Sequence, residues 1–513
     1  MNWERHLTGA PPAVRLANIC KGFGPVRAND AIDLEIAKGT IHGIIGENGA
    51  GKSTLVSIFY GFYTADAGTI EIDGQEIRIN KPADAIAHGV GMVHQHFMLV
   101  PTFTVLENVM LGSEGGALLK EGASEVRTEL LRLEETYGLE VNPDALVGDL
   151  PVGLQQRVEV LKALRRGARI LILDEPTGVL TPSETEQLFN ILRELRADGV
   201  TVLLITHKLG EIMAVCDAVS VMRRGKMVGH RRPAETSRAE LAELMVGRKV
   251  TLETERRPGS SGAPALTARG LTWHDAAGAP RLRDVSLELR AGEILGVAGV
   301  SGNGQSELLE ILSGIAPVQG GQLDVVGQRV DRERPANPAR MRELGLAHVP
   351  EDRHRRALVL PFTARENAVL GYAKGAGPGP WVSPSAMTVT AQPLIERFDV
   401  RPPDPLLAAR GFSGGNQQKL VMAREIDAAP KVLLVGQPTR GVDIGAIEFI
   451  HAQLVALKEQ GCAILLVSVE LDEILALSDR IMVMNAGRVV GTVPRDAATH
   501  QSLGLMMAGE IAA

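Results

Sequence analysis

Cysteine is scarce: Cys20, Cys216 and Cys462 are the only three in a chain of 513 residues, and they stand far apart. None has C-x-x-C spacing, so they read as reduced core thiols of a cytosolic protein rather than a disulfide frame or a zinc site. Long apolar runs are missing too. Nowhere do about eighteen apolar residues follow one another, so no segment is expected to span a membrane, and any membrane role must come through a partner. The opening Met1-Asn2-Trp3-Glu4-Arg5-His6 lacks the basic and apolar regions of a signal peptide. Positive charge is not in excess. A formal net charge of −7 gives no general pull toward nucleic acid or anionic lipid. What remains, 45% hydrophobic and 22% charged residues, suits a folded soluble protein long enough for two to four domains.

What is present is organised around Gly46-Glu47-Asn48-Gly49-Ala50-Gly51-Lys52-Ser53-Thr54. The apolar residues 41–45 before it read as a short buried strand, and residues 55–59 after it as the start of a helix. Strand, Gly-rich loop and helix in that order are the context of a phosphate-binding loop. Gly46 and Gly51 let the backbone curl so that successive N–H groups face one anion, and the helix N-terminus adds partial positive charge. Lys52 has the reach for terminal phosphates, and the Ser53 hydroxyl can ligand Mg²⁺.

Residues 15–19 and 31–36 alternate as strands of a half-buried sheet, with Phe23 in a Gly-rich turn between them as a core plug or a base-stacking ring. Residues 68–74 read as a strand with a turn, and 124–137 and 155–164 as helices. Two apolar strands end in polar residues: 170–173 run into Asp174-Glu175, and 202–205 into Thr206-His207. Then the pattern repeats. Residues 282–289 match the strand before the loop, and Gly299-Val300-Ser301-Gly302-Asn303-Gly304-Gln305-Ser306 matches the loop. Leu150 aligns with Phe412, Asp174 with Gly436 and His207 with Val469, each 262 positions on. One offset across three motifs predicts two copies of one α/β domain, at 1–252 and 266–513. Residues 253–265, with Pro258-Gly259-Ser260-Ser261-Gly262, read as a flexible linker.

The phosphate loop is followed by Gln95, then Leu150-Pro151-Val152-Gly153-Leu154-Gln155-Gln156-Arg157, then Asp174-Glu175-Pro176-Thr177, then His207. This order resembles the ATP-binding domain of ABC transporters, and the likeness covers nearly the whole chain, twice. The second half supplies Phe412-Ser413-Gly414-Gly415-Asn416-Gln417-Gln418-Lys419, close to the family's L-S-G-G-Q signature. A tandem fusion is similar to the ATPase subunits of bacterial importers for sugars and nucleosides. Residues 94–101, Leu150-Pro151-Val152-Gly153 and Gln437-Pro438-Thr439-Arg440-Gly441 look like the nucleoside branch. Ribose-type subunits usually keep an Asp-Glu pair where this chain has Gly436-Gln437. The fold this implies is α/β: two tandem P-loop NTPase domains of ABC ATPase type, each with a mixed β-sheet core and a helical subdomain.

Asp174 ends an apolar strand, where an acid can hold Mg²⁺ directly or through water, and Glu175 beside it is placed to polarise the attacking water. The resemblance makes His207 the γ-phosphate sensor, sets Gln95 near Mg²⁺ on the loop that feels the transmembrane partner, and stacks Phe23 on adenine. Lys52, Glu175 and His207 are thus the expected catalytic residues, and Ser53, Gln95 and Asp174 the expected Mg²⁺ ligands. ATP contacts fall to Phe23, Gly46, Glu47, Asn48, Gly49, Ala50, Gly51, Lys52, Ser53, Thr54, Gln95 and Asp174. Because the family's sites are composite, they fall also to Ser413, Gly414, Gly415 and Asn416 of a facing signature. The chemistry is in-line attack of water on the γ-phosphoryl. His94 and His96, at i and i+2, have no evident third ligand to make a metal site.

The second half departs from the pattern. Gln305 replaces the loop lysine, Gly436 the Mg²⁺-side Asp, Gln437 the catalytic Glu and Val469 the His, and Glu351 stands where the glutamine would be. The first half's signature has Pro151 for the family's serine, with neither a hydroxyl nor an N–H to offer a phosphate. Good parts thus meet good and poor meet poor across the two composite sites, which predicts one hydrolytic site and one inactive site.

The implied partners are two transmembrane permease subunits and, through the complex, an extracytoplasmic substrate-binding protein, with the chain peripheral on the cytoplasmic face of the membrane and no nucleic acid bound. The alternatives are a ribose- or galactose-type sugar importer and a soluble tandem ABC ATPase acting on ribosomes or DNA. The short linker, the dismantled site and the acidic charge count against the last. A nucleotide sensor without turnover is disfavoured by the complete first-half machinery.

Overall fold

Short apolar runs bounded by glycines and turn residues become strands buried on both faces, as parallel strands covered by helices must be. The computed structural model describes residues 11–509 other than 25, 95, 96, 113–118, 179, 181, 250–261, 301, 373–380 and 443. The chain divides into two compact units, residues 1–250 and 251–513. The expected linker lies outside the described residues as far as 261, and Pro264 and Ala265 already open the strand Pro264–His274.

In the first unit a six-stranded sheet runs in the order Lys226–Arg231, Ala218–Arg223, Ile41–Gly46, Thr201–Ile205, Ile170–Asp174, Val90–Val93. All its neighbours are parallel except the first pair. Strands Ile41–Gly46, Thr201–Ile205 and Ile170–Asp174 are adjacent and point the same way. Their C-terminal ends, where open parallel sheets bind ligands, therefore lie side by side.

A four-stranded antiparallel sheet, in the order Val26–Ile36, Val14–Phe23, Ala67–Ile72, Gln75–Ile77, completes the mixed core. Its apolar face packs with the helix Lys52–Tyr60 in one cluster that holds Leu16, Ile32, Leu55 and Phe59. Each such fully buried side chain is worth about 1.5–3 kcal/mol. A second cluster joins Leu171, Leu173 and Leu204 of the sheet to helices Val105–Met110 and Val152–Arg165. Phe23, expected in a turn, lies instead at the end of a strand that pairs it with Val26.

The second unit repeats the plan. Its six-stranded order is Arg488–Pro494, Arg480–Asn485, Ile294–Ala298, Ala463–Val467, Val432–Gly436, Leu346–Val349, beside a four-stranded antiparallel sheet. Small devices recur as well. Thr104 with Glu107, and Thr363 with Glu366, form capping boxes that satisfy the first N–H groups of equivalent short helices. Buried Asn108 and Asn367 each close the preceding turn by bonding the carbonyls four and eight residues back. Both units are α/β, as the sequence predicts. No described helix is long and apolar enough to cross a membrane.

Candidate nucleotide site

The loop after Ile41–Gly46 has the shape its glycines require. Gly49 and Gly51 take φ of 81° and 100°, in the left-handed region that favours glycine. A Cβ on Gly51 would stand 2.2 Å from the Ala28 carbonyl oxygen, and one on Gly46 would stand 2.4 Å from that of Met222. These residues leave a backbone cradle at the N-terminus of Lys52–Tyr60, where N–H groups lack helical partners. Lys52 is buried, and its Nζ donates to the carbonyls of Gly46 at 2.7 Å and Glu47 at 3.1 Å, folding the side chain back over the loop. Burial pushes its ammonium below the usual lysine range, against the pull of Glu175, Asp174 and Glu47. Ser53 is exposed in the first turn of the helix.

The two acids sit at the C-terminal end of strand Ile170–Asp174, with Thr201–Ile205 between it and the strand that carries the loop. Asp174 closes its strand, and burial, with Glu175 beside it, raises its carboxyl to about 6 in spite of Lys52. Glu175 leaves the strand with φ 48°, an uncommon conformation for a side-chain-bearing residue. Its N–H donates to Ile205 O at 2.8 Å, and its Oε1 lies 2.9 Å from His207 Nδ1. That bond, first among several causes, holds the Glu175 carboxyl below the usual range. One carboxyl is raised and its neighbour lowered, the pattern of two acids set to different tasks. Behind them the Thr177 hydroxyl donates to buried Glu211, bracing the turn that follows Glu175.

Lys52, Asp174, Glu175 and His207 are therefore brought together, and the residues from Gly46 to Thr54 wrap them. An exposed serine hydroxyl and a carboxylate are the hard oxygen donors that suit Mg²⁺, and the donor set fits that ion. Gln95 and His96 lie outside the described residues. His94 packs against the rings of Tyr60 and Phe62, and among the described residues no cluster of His, Cys, Asp and Glu could hold a metal. Phe23 is 43% exposed, held edge-on by Tyr63 with ring centroids 5.2 Å apart and with Lys21 Nζ 5.7 Å from its own centroid. Sequence reading missed Asn29, which is buried and donates to Gly51 O at 3.1 Å, tying the hairpin that carries Phe23 to the loop. A lone asparagine in a strand offered no motif to find it by.

Ser413, Gly414, Gly415 and Asn416 lie in the second unit, at the start of helix Gly414–Asp427. Ser413 is the N-cap, accepting from Asn416 Nδ2 at 2.9 Å, and Arg353 Nη2 would stand 2.7 Å from a Cβ on Gly414. The first unit's equivalent helix, Val152–Arg165, starts from Pro151 with no side-chain cap. The Glu184 carboxylate lies against it instead, with Oε1 2.4 Å from where a Cβ on Gly153 would be.

The second unit keeps the backbone of the site and changes its chemistry. Gly302 and Gly304 have φ of 92° and 99°, and Gln437 has the same φ of 48° as Glu175. Gln437 N–H donates to Val467 O at 2.8 Å, and its Oε1 accepts from Val469 N, where the first unit has His207.

The profile of the ABC transporter family matches residues 29–178 and again 282–440. The chain belongs to that family. Its relatives include the guanosine import ATP-binding protein NupO of Bacillus subtilis, 45% identical over 97% of each chain. The nucleoside import ATP-binding protein NupA of Lactococcus lactis is 44% identical over 97% of this chain and 98% of its own. The glucose import ATP-binding protein TsgD13 of Haloferax volcanii is 42% identical over 97% and 96%. Family membership accounts for the tandem plan, since both matched stretches begin before a phosphate loop and end after the acid-bearing strand or its counterpart.

Proposed function

We propose that this chain hydrolyses ATP to energise a solute importer, acting on the cytoplasmic face of the membrane with transmembrane permease subunits and an extracytoplasmic binding protein. The observation that carries the reading is the convergence of Lys52, Asp174, Glu175 and His207 at three adjacent strand ends. The backbone amides of residues 46–54 and the Lys52 ammonium bind the phosphates. Phe23, standing out from its hairpin, offers a face for the adenine. Glu175, oriented by His207, accepts hydrogen-bonding from the attacking water, and His207 reaches the γ-phosphate as the water attacks in line. Ser53, Gln95 and Asp174 would hold Mg²⁺, which would supply positive charge against the terminal phosphates. The loop at 299–306 is silent, because the second unit lacks the lysine, both acids and the histidine.

Nucleosides are the favoured cargo over simple sugars, on the motifs at 94–101, 150–153 and 437–441 and on the names of NupO and NupA. In proteoliposomes with its permease, Glu175→Gln should lower ATP turnover about 100-fold or more while nucleotide still binds. Turnover left largely intact in that variant would remove the assignment. Uptake of labelled guanosine measured against labelled ribose decides the cargo.

A further inference from the structure

The hairpin tip that carries Phe23 is braced twice, and only one of the braces is common to both units. The Asp66 carboxylate accepts from Gly22 N–H at 2.7 Å and from Lys21 Nζ at 2.8 Å, fixing the strand just before the ring. In the second unit Gln319 does the same work, accepting from His274 N–H at 2.8 Å and donating to His274 O at 3.0 Å. The other brace is Tyr63. Its ring meets that of Phe23 in a T-shaped contact, with centroids 5.2 Å apart and 70° between the planes, a preferred geometry for an aromatic pair.

Tyr63 stands in the turn after the helix Lys52–Tyr60, where its N–H and that of Phe62 both donate to Ser57 O. Ile315 and Ala316 repeat that pair of bonds on Glu310 O, which makes Ala316 the counterpart of Tyr63. The second hairpin's tip, residues 275–280, carries no aromatic residue, and Asp275 closes it by accepting from the N–H groups of Ala277 and Ala279. Trp273, before the tip, packs against the core. The two rings are thus paired in one unit and replaced together in the other, while the polar brace stays. The second hairpin forms without a ring at that turn, so the ring of Tyr63 serves Phe23 rather than the hairpin.

We propose that Tyr63 is a positioning residue for the base: it holds the Phe23 ring at the angle that receives adenine. The inference rests on adenine stacking on Phe23. A phenylalanine alone at an exposed tip gives up rotamer freedom when a base stacks on it, and a ring already propped from the side has given it up beforehand. Tyr63 is bonded through its backbone to the helix whose first turn cradles the phosphates. That helix therefore sets the spacing between the base seat and the phosphate loop.

Steady-state ATP turnover by the full chain with its permease in proteoliposomes tests this, with tripolyphosphate, which has no base, as a competitive inhibitor. Tyr63 is 44% exposed and its counterpart is an alanine, so Tyr63→Ala should fold. It should raise KM for ATP about fivefold, leave kcat within about twofold and leave the Ki of tripolyphosphate unchanged. Tyr63→Phe, which keeps the ring, should show the wild-type KM. Tyr63→Ala with the wild-type KM, beside a Phe23→Ala that raises it, overturns this inference alone. A Tyr63→Ala that weakens ATP and tripolyphosphate alike overturns it too, since the residue then acts on the helix end and not on the base. A Phe23→Ala with the wild-type KM overturns both this inference and the stacking beneath it.

Discussion

At Glu175 the backbone turns through φ 48°, and the side chain is pinned by His207 Nδ1 at 2.9 Å. A left-handed conformation at a residue with a β-carbon costs on the order of 1–3 kcal/mol and persists only where the surroundings enforce it. Here the bond from Glu175 N–H to Ile205 O enforces it, and the gain is a carboxylate aimed away from its own strand. His207→Ala removes the partner that orients this carboxylate, so turnover should fall about 100-fold with little change in KM, as steady-state kinetics would show. Lys52→Ala acts differently. It deletes a charge on the bound phosphates, and equilibrium nucleotide binding at the first loop should weaken about tenfold or more. The positions of Lys52 at a helix start and Asp174 at a strand end were legible in the sequence because glycine spacing and a strand ending in acids are local signals. The backbone strain at Glu175, the reach of Asn29 to Gly51 and the ring contact of Tyr63 with Phe23 were not. Each is a contact between distant segments, and no periodicity encodes it.

The strand Ile41–Gly46 carries the loop, and its stability is tied to pH through one side chain. His42 is wholly buried, its Nε2 2.8 Å from Ser220 Oγ, which in turn lies 2.8 Å from His230 Nδ1. Burial, with His230 adding to it, depresses the His42 imidazole to about 3. The unfolded chain therefore takes up a proton near pH 6.5 that the folded chain refuses until about pH 3. Stability is whole above pH 6.5 and is lost as pH falls through that window. His42→Gln, which cannot titrate, should flatten the fall of urea stability between pH 7 and pH 4.5 while costing roughly 1 kcal/mol at pH 8. The loop that follows is just as constrained. Gly51→Ala puts a methyl into the Ala28 carbonyl at a φ of 100°, and thermal melting should register a loss of about 2 kcal/mol or more together with the loss of ATP binding. Element positions were largely readable in advance, since buried parallel strands are continuous apolar runs. Their ends were less so: Phe23 belongs to a strand rather than a turn. Hydrogen-bond partners on neighbouring strands decide such ends, and these are set by the fold.

Across the molecule the two units share strand order, capping boxes, glycine conformations and even the φ of 48° at residues 175 and 437. Backbone geometry has been kept where the catalytic side chains have not. This makes a sharp prediction about restoring activity. Gln437→Glu returns a carboxylate to a backbone already bent to receive it, so if that residue alone were limiting, hydrolysis would reappear. The other losses argue against this: Gln305 offers no charge to the phosphates, Val469 offers no imidazole to orient the new acid, and its backbone N–H holds the side chain instead. These groups act as one unit in the transition state, and returning a single member recovers little of the whole. The double variant Glu175→Gln with Gln437→Glu should therefore turn over ATP no faster than Glu175→Gln alone. A recovery of even tenfold would show that the second unit retains catalytic machinery beyond the four missing groups.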